Sequence, residues 1–166
     1  MADAYATHNV TSAAVDTGDA VYFSGGAVTA IPFNFDTVDT DGDVIRVGTV
    51  SPQDIYLGVQ LVNEASSGAN DYDLGLYAPK VGDDGRVLDK DIFIDGVEFV
   101  TARADSGALD YLSLAAANHG KRMYELLGLT SAQAASSGAY ELAFTANDAG
   151  TAGKVVSGNF FVIRGA

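Results

Sequence analysis

The sequence predicts a mainly β protein, an antiparallel β-sandwich of either immunoglobulin-like or jelly-roll topology, with one or two short helices near residues 121–135. Short segments of alternating apolar and polar residues recur about every ten residues, about eight of them in all, as in sandwiches and barrels. Turn sequences rich in Asp and Gly separate these segments. Hydrophobic residues make up 48% of the chain and charged residues 19%, so the chain can bury enough apolar surface to fold.

The chain is long enough for one hydrophobic core, and its 166 residues predict a single domain over residues 1–166. Residues 1–20 are small and polar and lack a helical apolar stripe, which predicts an extended N-terminal arm. The N-terminus lacks the basic and apolar regions of a secretion signal, and no run of 18 apolar residues occurs. We therefore expect a protein made in a cytosol, with no membrane partner.

The first predicted strand lies within residues 21–35, where Ile31, Phe33 and Phe35 occupy alternate positions. Pro32 interrupts this pattern and has no backbone N–H to donate to a neighbouring strand. The strand should therefore lie at the edge of a sheet or begin after a bulge.

The next segments predict a turn and three strands. Residues 39–43, Asp-Thr-Asp-Gly-Asp, predict the turn, and a short strand follows at 44–50. Residues 54–62 alternate as a strand with one face on the core. The core-facing members of this strand are predicted to be Ile55, Leu57, Val59 and Leu61. Residues 72–77 alternate in the same way, and the polar loop 64–70 predicts that these two strands form a hairpin.

Asp-Gly pairs mark the following turns. Asp83-Asp-Gly85 predicts a turn within residues 81–88, and Asp95-Gly96 predicts a turn before a short strand at 97–102. Residues 140–145 and 154–163 predict the two closing strands. The last strand should place Val156, Phe160 and Val162 on one face.

Helical patterns occupy one stretch of the chain. Lys121–Leu127 predicts a two-turn helix, and Gly128 suits the left-handed residue that ends a helix. Thr130 and Gln133 have the spacing of a capping box, which predicts the start of another short helix.

Charge and composition exclude several functions. The chain has 22 Asp and Glu against 9 Lys and Arg, and its first 45 residues contain seven Asp and no Lys or Arg. Because so acidic a surface repels phosphate backbones, we expect no nucleic-acid partner. The absence of cysteine excludes disulfides, zinc–thiolate sites and thiol nucleophiles.

Motifs for catalysis are also missing from the sequence. It contains no Gly-x-Ser-x-Gly elbow, no His-Glu-x-x-His pair and no phosphate-binding loop. His8 and His119 fall in the predicted arm and in a predicted loop without an evident partner, so we interpret both as solvated polar residues. We predict that the protein is not an enzyme and has no catalytic, cofactor-binding or metal-binding residues and no cofactor.

Two groups of carboxylates leave alternatives open. Five aspartates crowd residues 83–95, namely Asp83, Asp84, Asp89, Asp91 and Asp95. We interpret them as a solvated rim, although two suitably spaced carboxylates can hydrolyse glycosides without any sequence motif. Asp39, Asp41 and Asp43 alternate like the first ligands of a calcium loop, but the full loop is missing. We predict an acidic turn there, with a bound cation as the alternative.

Several segments occur in an order known from phage proteins. Asn70–Tyr77 (NDYDLGLY) is followed by Gly85–Phe93 (GRVLDKDIF) and later by Lys121–Gly128 (KRMYELLG). Tyr140–Thr145 and Ala152–Val156 follow as closing strands. Over residues 43–163 this series resembles small virion structural proteins of tailed bacteriophages, which are capsid decoration or cement proteins.

The resemblance implies a specific role. It implies a protein made in the host cytoplasm that decorates or cements the outside of the capsid shell by binding the major capsid protein. It further implies a homo-oligomer, a dimer or trimer, in which residues 1–20 can add a strand to an exposed sheet edge.

Two other functions remain open at this point. One is another virion part, a head–tail connector or tail component. The other is a carbohydrate-binding module or glycosidase, which would need an exposed aromatic row such as Tyr56, Tyr72 and Tyr77. We expect at least one of these tyrosines to be buried. The absence of Trp also disfavours a sugar platform.

Overall fold

The computed structural model describes residues 28–68, 70–80, 84–103, 109–111, 118, 120–148 and 150–165, with the backbone alone for 109–111. The strands are β1 (Val28–Asp36), β2 (Val44–Val50), β3 (Ile55–Asn63), β4 (Asp71–Tyr77), β5 (Val87–Glu98), β6 (Leu109–Tyr111), β7 (Tyr140–Asp148) and β8 (Val155–Ile163). The helices are α1 (Met123–Leu126) and α2 (Ser131–Ser137). The predicted N-terminal arm, residues 1–20, lies outside the described residues.

The eight strands form two antiparallel sheets that pack face to face. Sheet A has the strand order β1-β8-β3-β6, and sheet B has the order β2-β7-β4-β5. The chain changes sheet at every described connection except the one between β4 and β5. This is the eight-stranded jelly roll. The predicted mainly β sandwich is confirmed, and strand order decides between its two topologies.

Aromatic side chains from both sheets fill the core. Tyr56 and Phe160 of sheet A and Phe93 of sheet B have ring centroids 4.7 to 5.0 Å apart. At the other end of the sandwich, Phe35 lies 4.8 Å from Phe144 across the two sheets. Such pairs add about 0.5–1.5 kcal/mol each beyond their buried area, so they hold the sheets together.

The predicted hairpin of residues 54–62 and 72–77 is wrong. β3 belongs to sheet A and β4 to sheet B, so the loop between them crosses from one sheet to the other. Buried Asn63 fixes the start of this crossing, because its side-chain amide donates to the carbonyls of Phe99 and Thr101 at 3.2 and 3.0 Å. Alternation in the sequence identifies a strand but not the sheet to which it belongs.

The predicted core face of β3 is wrong in its first half. A bulge shifts the register between Tyr56 and Gly58, so Tyr56 faces the core at 5% exposure, while Ile55 and Leu57 are only half-buried. Val59 and Leu61 face the core as predicted. A single extra residue reverses the inward side of a strand, because successive side chains alternate between faces.

Asp95-Gly96 is not the predicted turn but a bulge inside the twelve-residue strand β5. Gly96 has φ 72° and donates its N–H to the Asp73 carboxylate at 2.9 Å. The predicted strand at 97–102 is therefore the end of β5, which stops at Glu98. An Asp-Gly pair suits a bulge as well as a turn, since glycine accepts the left-handed conformation in both.

The first predicted helix is shorter than expected. Arg122 has extended backbone angles (φ −75°, ψ 159°) and forms a β-bridge with Ile55, so α1 begins only at Met123. Gly128 follows the helix with φ 69°, as predicted. Pairing with sheet A thus overrides the helical propensity of Lys121 and Arg122.

Other local predictions are confirmed. Thr130 and Gln133 form the capping box of α2. Pro32 lies in β1 at the edge of sheet A. In β8, Val156, Phe160 and Val162 are all buried. No helix in the described ranges is long and apolar enough to cross a membrane.

Gly75 marks a tight crossing between β4 and β5. Leu76 of β4 pairs with Asp89 of β5, whereas Leu74 pairs with Ile94. β5 therefore has more residues than β4 over this stretch, and these extra residues pass over Gly75. A methyl group on Gly75 would lie 2.5 Å from the Cα of Lys90 and against the Asp89 carbonyl. No side chain other than hydrogen fits there without moving the backbone.

We expect Gly75→Ala to lower the free energy of unfolding by about 1–3 kcal/mol, because the added methyl group overpacks a site walled by backbone. The control is Ala143→Gly, which removes a methyl group from the residue paired with Gly75 on β7 and should cost about 0.5–1 kcal/mol. Urea denaturation measures both. A Gly75→Ala variant no less stable than Ala143→Gly would contradict the tight crossing.

Candidate assembly surface

The acidic turn predicted at residues 39–43 is present between β1 and β2. Asp39, Asp41 and Asp43 are exposed there, and Gly42 takes φ 84°. The Gly42 N–H donates to the Ala146 carbonyl at 2.8 Å, which ties the turn to β7. Within the described residues, no group of three or more His, Cys, Asp or Glu side chains is arranged to hold a metal ion.

The described aspartates of residues 83–95 do not cluster at one site. Asp84 precedes β5, whereas Asp89, Asp91 and Asp95 are spread along it. Burial raises the pKa of Asp89, and its neighbour Asp91 raises it further. Asp83, His8 and His119 lie outside the described residues.

The prediction that at least one of Tyr56, Tyr72 and Tyr77 is buried is confirmed, so the aromatic row that a sugar platform would need does not form. Tyr56, Tyr72 and Tyr77 are 5%, 0% and 1% exposed. The ring of Tyr72 is buried, and its hydroxyl accepts a hydrogen bond from the Val38 N–H at 3.0 Å. The three tyrosines are therefore structural residues.

Polar side chains cover the middle of the outer face of sheet B. Asp73 is 1% exposed, although it points away from the core. Its carboxylate accepts hydrogen bonds from Lys90 Nζ at 2.7 Å and from the Gly96 N–H at 2.9 Å. This bond to Asp73 raises the pKa of Lys90. Lys90 also donates to the Asn147 side chain at 2.8 Å, so one lysine links β4, β5 and β7.

Arg46 covers a further part of this face. Its guanidinium lies 5.4 Å from the centre of the Tyr77 ring and pairs with the Glu141 carboxylate. It also donates to the carbonyls of Ala78 and Gly85, at 3.2 and 2.7 Å. The Arg46 donors therefore already have partners within the chain.

One end of sheet B carries an acidic row across three strands. Asp71 of β4 pairs in register with Glu98 of β5 and with Asp148 of β7. Burial raises the pKa of Asp71, and the nearby carboxylates, Asp73 and Glu98 foremost, raise it further. Like charges directly opposite each other destabilise a sheet, so this row costs folding stability.

The outer face of sheet A is different, because apolar side chains point outward from it. Since Phe160 and Val162 of β8 are buried, the alternate residues Phe161 and Ile163 face away from the core. Both are half-buried, and neither belongs to the core cluster or packs against it. The same holds for Ile55 of β3.

These residues form two rows across the strands. In the first row, Val28 pairs with Ile163, and Ile163 with Ile55. In the second row, Ala30 pairs with Phe161. We call this set the apolar patch; its members are Val28, Ala30, Ile55, Phe161 and Ile163. Val28 is 47% exposed. Ala30 is also exposed, and the other three members are half-buried, so the set is a candidate interaction surface.

A cationic side chain borders the apolar patch. Arg122 forms a bridge with Ile55, which extends the first row, and it is exposed. Arg164, which follows Ile163, is instead paired with the buried Asp54 carboxylate at 2.6 Å. An apolar centre with a polar rim is the usual arrangement of a protein–protein interface.

The apolar patch was not predicted from the sequence, although the sequence contains a signal for it. Residues 160–163 are apolar on both faces of the predicted strand, since Phe161 and Ile163 accompany the predicted core residues Phe160 and Val162. A strand with two apolar faces is either buried on both sides or carries an interface on one. The second face becomes visible once the sandwich shows which side is the core.

Of the comparisons with known proteins, the one with solved structures found similar folds. No protein-family model and no curated protein matches the chain. A chain of the solved capsid of Ralstonia phage GP4 is similar in structure, with a TM-score of 0.61 and 16% identity over 86% of this chain and 87% of the matched one. A chain of the cyanophage Pam1 capsid asymmetric unit gives a TM-score of 0.51 and 13% identity over 84% and 86%. The sandwich is thus a fold that occurs in phage capsids.

We expect Asp71→Asn to raise the free energy of unfolding at neutral pH by about 0.2–1 kcal/mol, because it removes the central charge of the acidic row. Folding raises the pKa of Asp71, so the cost of its charge is full above the folded-state pKa and is lost as the pH falls below the unfolded-state value. The gain in stability should therefore disappear in acid.

Thermal unfolding of both proteins at neutral and acidic pH measures this difference. Asp36→Asn is the control, because Asp36 pairs with Val155 and not with a carboxylate. It should change stability little at either pH. A gain for Asp71→Asn that persists in acid would contradict the electrostatic cause.

Proposed function

We propose that this protein is a phage virion structural protein that decorates or cements the outside of the capsid shell by binding the major capsid protein. The observation that carries the proposal is the jelly-roll fold, shared over more than four-fifths of the chain with chains of two phage capsids. The sequence resemblance to small virion proteins supports the same role.

The apolar patch on sheet A is the shell-binding surface in this proposal. Sheet B offers a partner few free groups, since Arg46, Asp73 and Lys90 already have partners within the chain. Burying one side chain of the size of Phe161 or Ile163 contributes about 1.5–3 kcal/mol. A contact of modest size becomes strong when it is repeated across a lattice or through a dimer or trimer of the protein.

A role without catalysis fits the polar groups of the described residues. The buried carboxylates Asp54 and Asp73 accept hydrogen bonds from neighbouring backbone or basic groups, so they stabilise loops and strands. Binding in this proposal needs shape and apolar area and involves no reacting group.

The direct test is to mix the purified protein with capsid shells that lack it, sediment the shells and count the bound copies. Saturation at a number set by the lattice, together with shells that resist heat or low salt, supports cementing. Binding to connectors or tails without binding to shells would replace this proposal with a connector or tail role.

A matched pair of variants tests the surface. Val28→Glu places a charge in the apolar patch, and Val87→Glu places the same charge on β5 of sheet B; the two valines are 47% and 53% exposed. We expect Val28→Glu to weaken shell binding at least about tenfold, which corresponds to about 1.4 kcal/mol, and Val87→Glu to leave it unchanged.

Both variants should fold, because each changes an exposed residue at the start of an edge strand. Circular dichroism and thermal unfolding check this. Equal binding by the two variants would remove the apolar patch from the proposal.

A further inference from the structure

The apolar patch continues into a larger uncharged surface on sheet A. Two further rows cross β1, β8 and β3 beside it, and their residues alternate with buried ones, so they point outward. The third row is Pro32, Asn159 and Gln60, and the fourth is Asn34, Ser157 and Val62. We call the four rows together the neutral face; Gly58 completes its second row. We propose that two copies of the protein pair through their neutral faces, sheet A against sheet A.

Charge favours this face over the outer face of sheet B. The chain has a net charge of −13, so two copies repel each other. Sheet B carries Asp73 and the acidic row through Asp71 on its outer face. The four rows of the neutral face contain no Asp, Glu, Lys or Arg, and charged residues only border them, at Asp36, Asp110 and Arg122. Of the two outer faces, the neutral face is therefore the one at which two copies meet with less repulsion.

The neutral face is also complementary to itself. Its first two rows are apolar, and its last two carry carboxamides, of which those of Asn34 and Gln60 are exposed. Because a carboxamide both donates and accepts hydrogen bonds, the same group on a second copy can satisfy it. A two-fold axis parallel to β8 places each row over its own copy, apolar on apolar and amide on amide. Sheets that pack face to face keep their strands aligned in this way.

The size of the neutral face predicts a weak dimer. Four rows across three strands cover about 27 by 14 Å, or about 400 Å². A stable interface buries about 800 Å² on each partner, so we expect a dissociation constant of about 10 μM to 1 mM. One consequence rests on the proposed function: a shell that binds the apolar patch competes with the second copy. The dimer itself needs no shell.

Sedimentation equilibrium of the full chain, from micromolar to millimolar concentration, tests the pairing. We expect a monomer–dimer equilibrium that shifts several-fold toward the dimer between about 0.01 and 0.15 M salt. The reason is that the Debye length falls from about 30 to about 8 Å, which screens the repulsion between copies. A protein that stays monomeric at about 1 mM, or a dimer that weakens as salt is added, would overturn the proposal.

Three substitutions that each add one negative charge test the face. Asn159→Asp and Gln60→Glu place the charge in the third row, whereas Asn147→Asp places it on β7 of sheet B, 2.8 Å from Lys90 Nζ. We expect the first two to weaken the dimer at least about tenfold, because the two-fold axis sets the added charges of both copies close together. The control Asn147→Asp should weaken it less than about twofold.

Gln60 is exposed, so Gln60→Glu keeps the test decisive even if Asn159→Asp folds poorly. Circular dichroism and thermal unfolding check the fold of each variant. A folded Gln60→Glu that dimerises as well as Asn147→Asp would remove the neutral face from the contact and overturn the proposal.

A mixture of isotope-labelled and unlabelled protein shows which surfaces meet. We expect isotope-filtered nuclear Overhauser effects between the Phe161 rings of two copies and none from Val44 or Val87, the exposed valines of sheet B. Contacts from Val44 or Val87 instead would place the dimer on sheet B. Contacts to Phe161 from residues before Val28 of the same copy would assign the face to the chain's own segment. Either result overturns the proposal.

Shells are absent from all three measurements. Failure of the dimer is therefore distinguishable from failure of the shell-binding proposal, which the sedimentation of shells tests separately.

Discussion

Pairing between strands that are distant in the chain is the constraint on which this structure depends. Within the described residues, all strand connections but one cross between the sheets, so almost no strand pairs with its neighbour in sequence. β8, the last strand, lies between β1 and β3 and pairs with both along its length. Sheet A therefore forms only when the end of the chain has arrived, and folding should be slow for a chain of this size.

This arrangement places opposite chemistry on the two outer faces. β4 and β7 occupy the middle of sheet B, and their outward residues are covered by Arg46 and by the crossing of β5 over Gly75. β8 occupies the middle of sheet A, and its outward residues Phe161 and Ile163 face away from the core with no such cover from the core cluster. Sheet B therefore covers the middle of its outer face with its own side chains, whereas sheet A leaves outward apolar side chains without such cover.

Charge separates the two faces further. The acidic row through Asp71 lies at one end of sheet B, and the basic border formed by Arg122 lies beside the apolar patch of sheet A. An acidic protein stays soluble through mutual repulsion of its copies, while a local basic border leaves one surface open to attraction. The row through Asp71 is expected to lower folding stability at neutral pH.

The sequence by itself determined the secondary structure: the mainly β class, the turn at residues 39–43, the Thr130 capping box, the edge position of Pro32 and the core face of β8. These features follow from local rules, namely alternation, turn chemistry and the missing N–H of proline. Tertiary structure alone decided the jelly-roll order, the inward turn of Tyr56 at a bulge, the short α1 and the location of the apolar patch. The physical reason is that sheet membership, register and outer-face exposure depend on contacts between residues far apart in the chain, and periodicity carries no record of those partners.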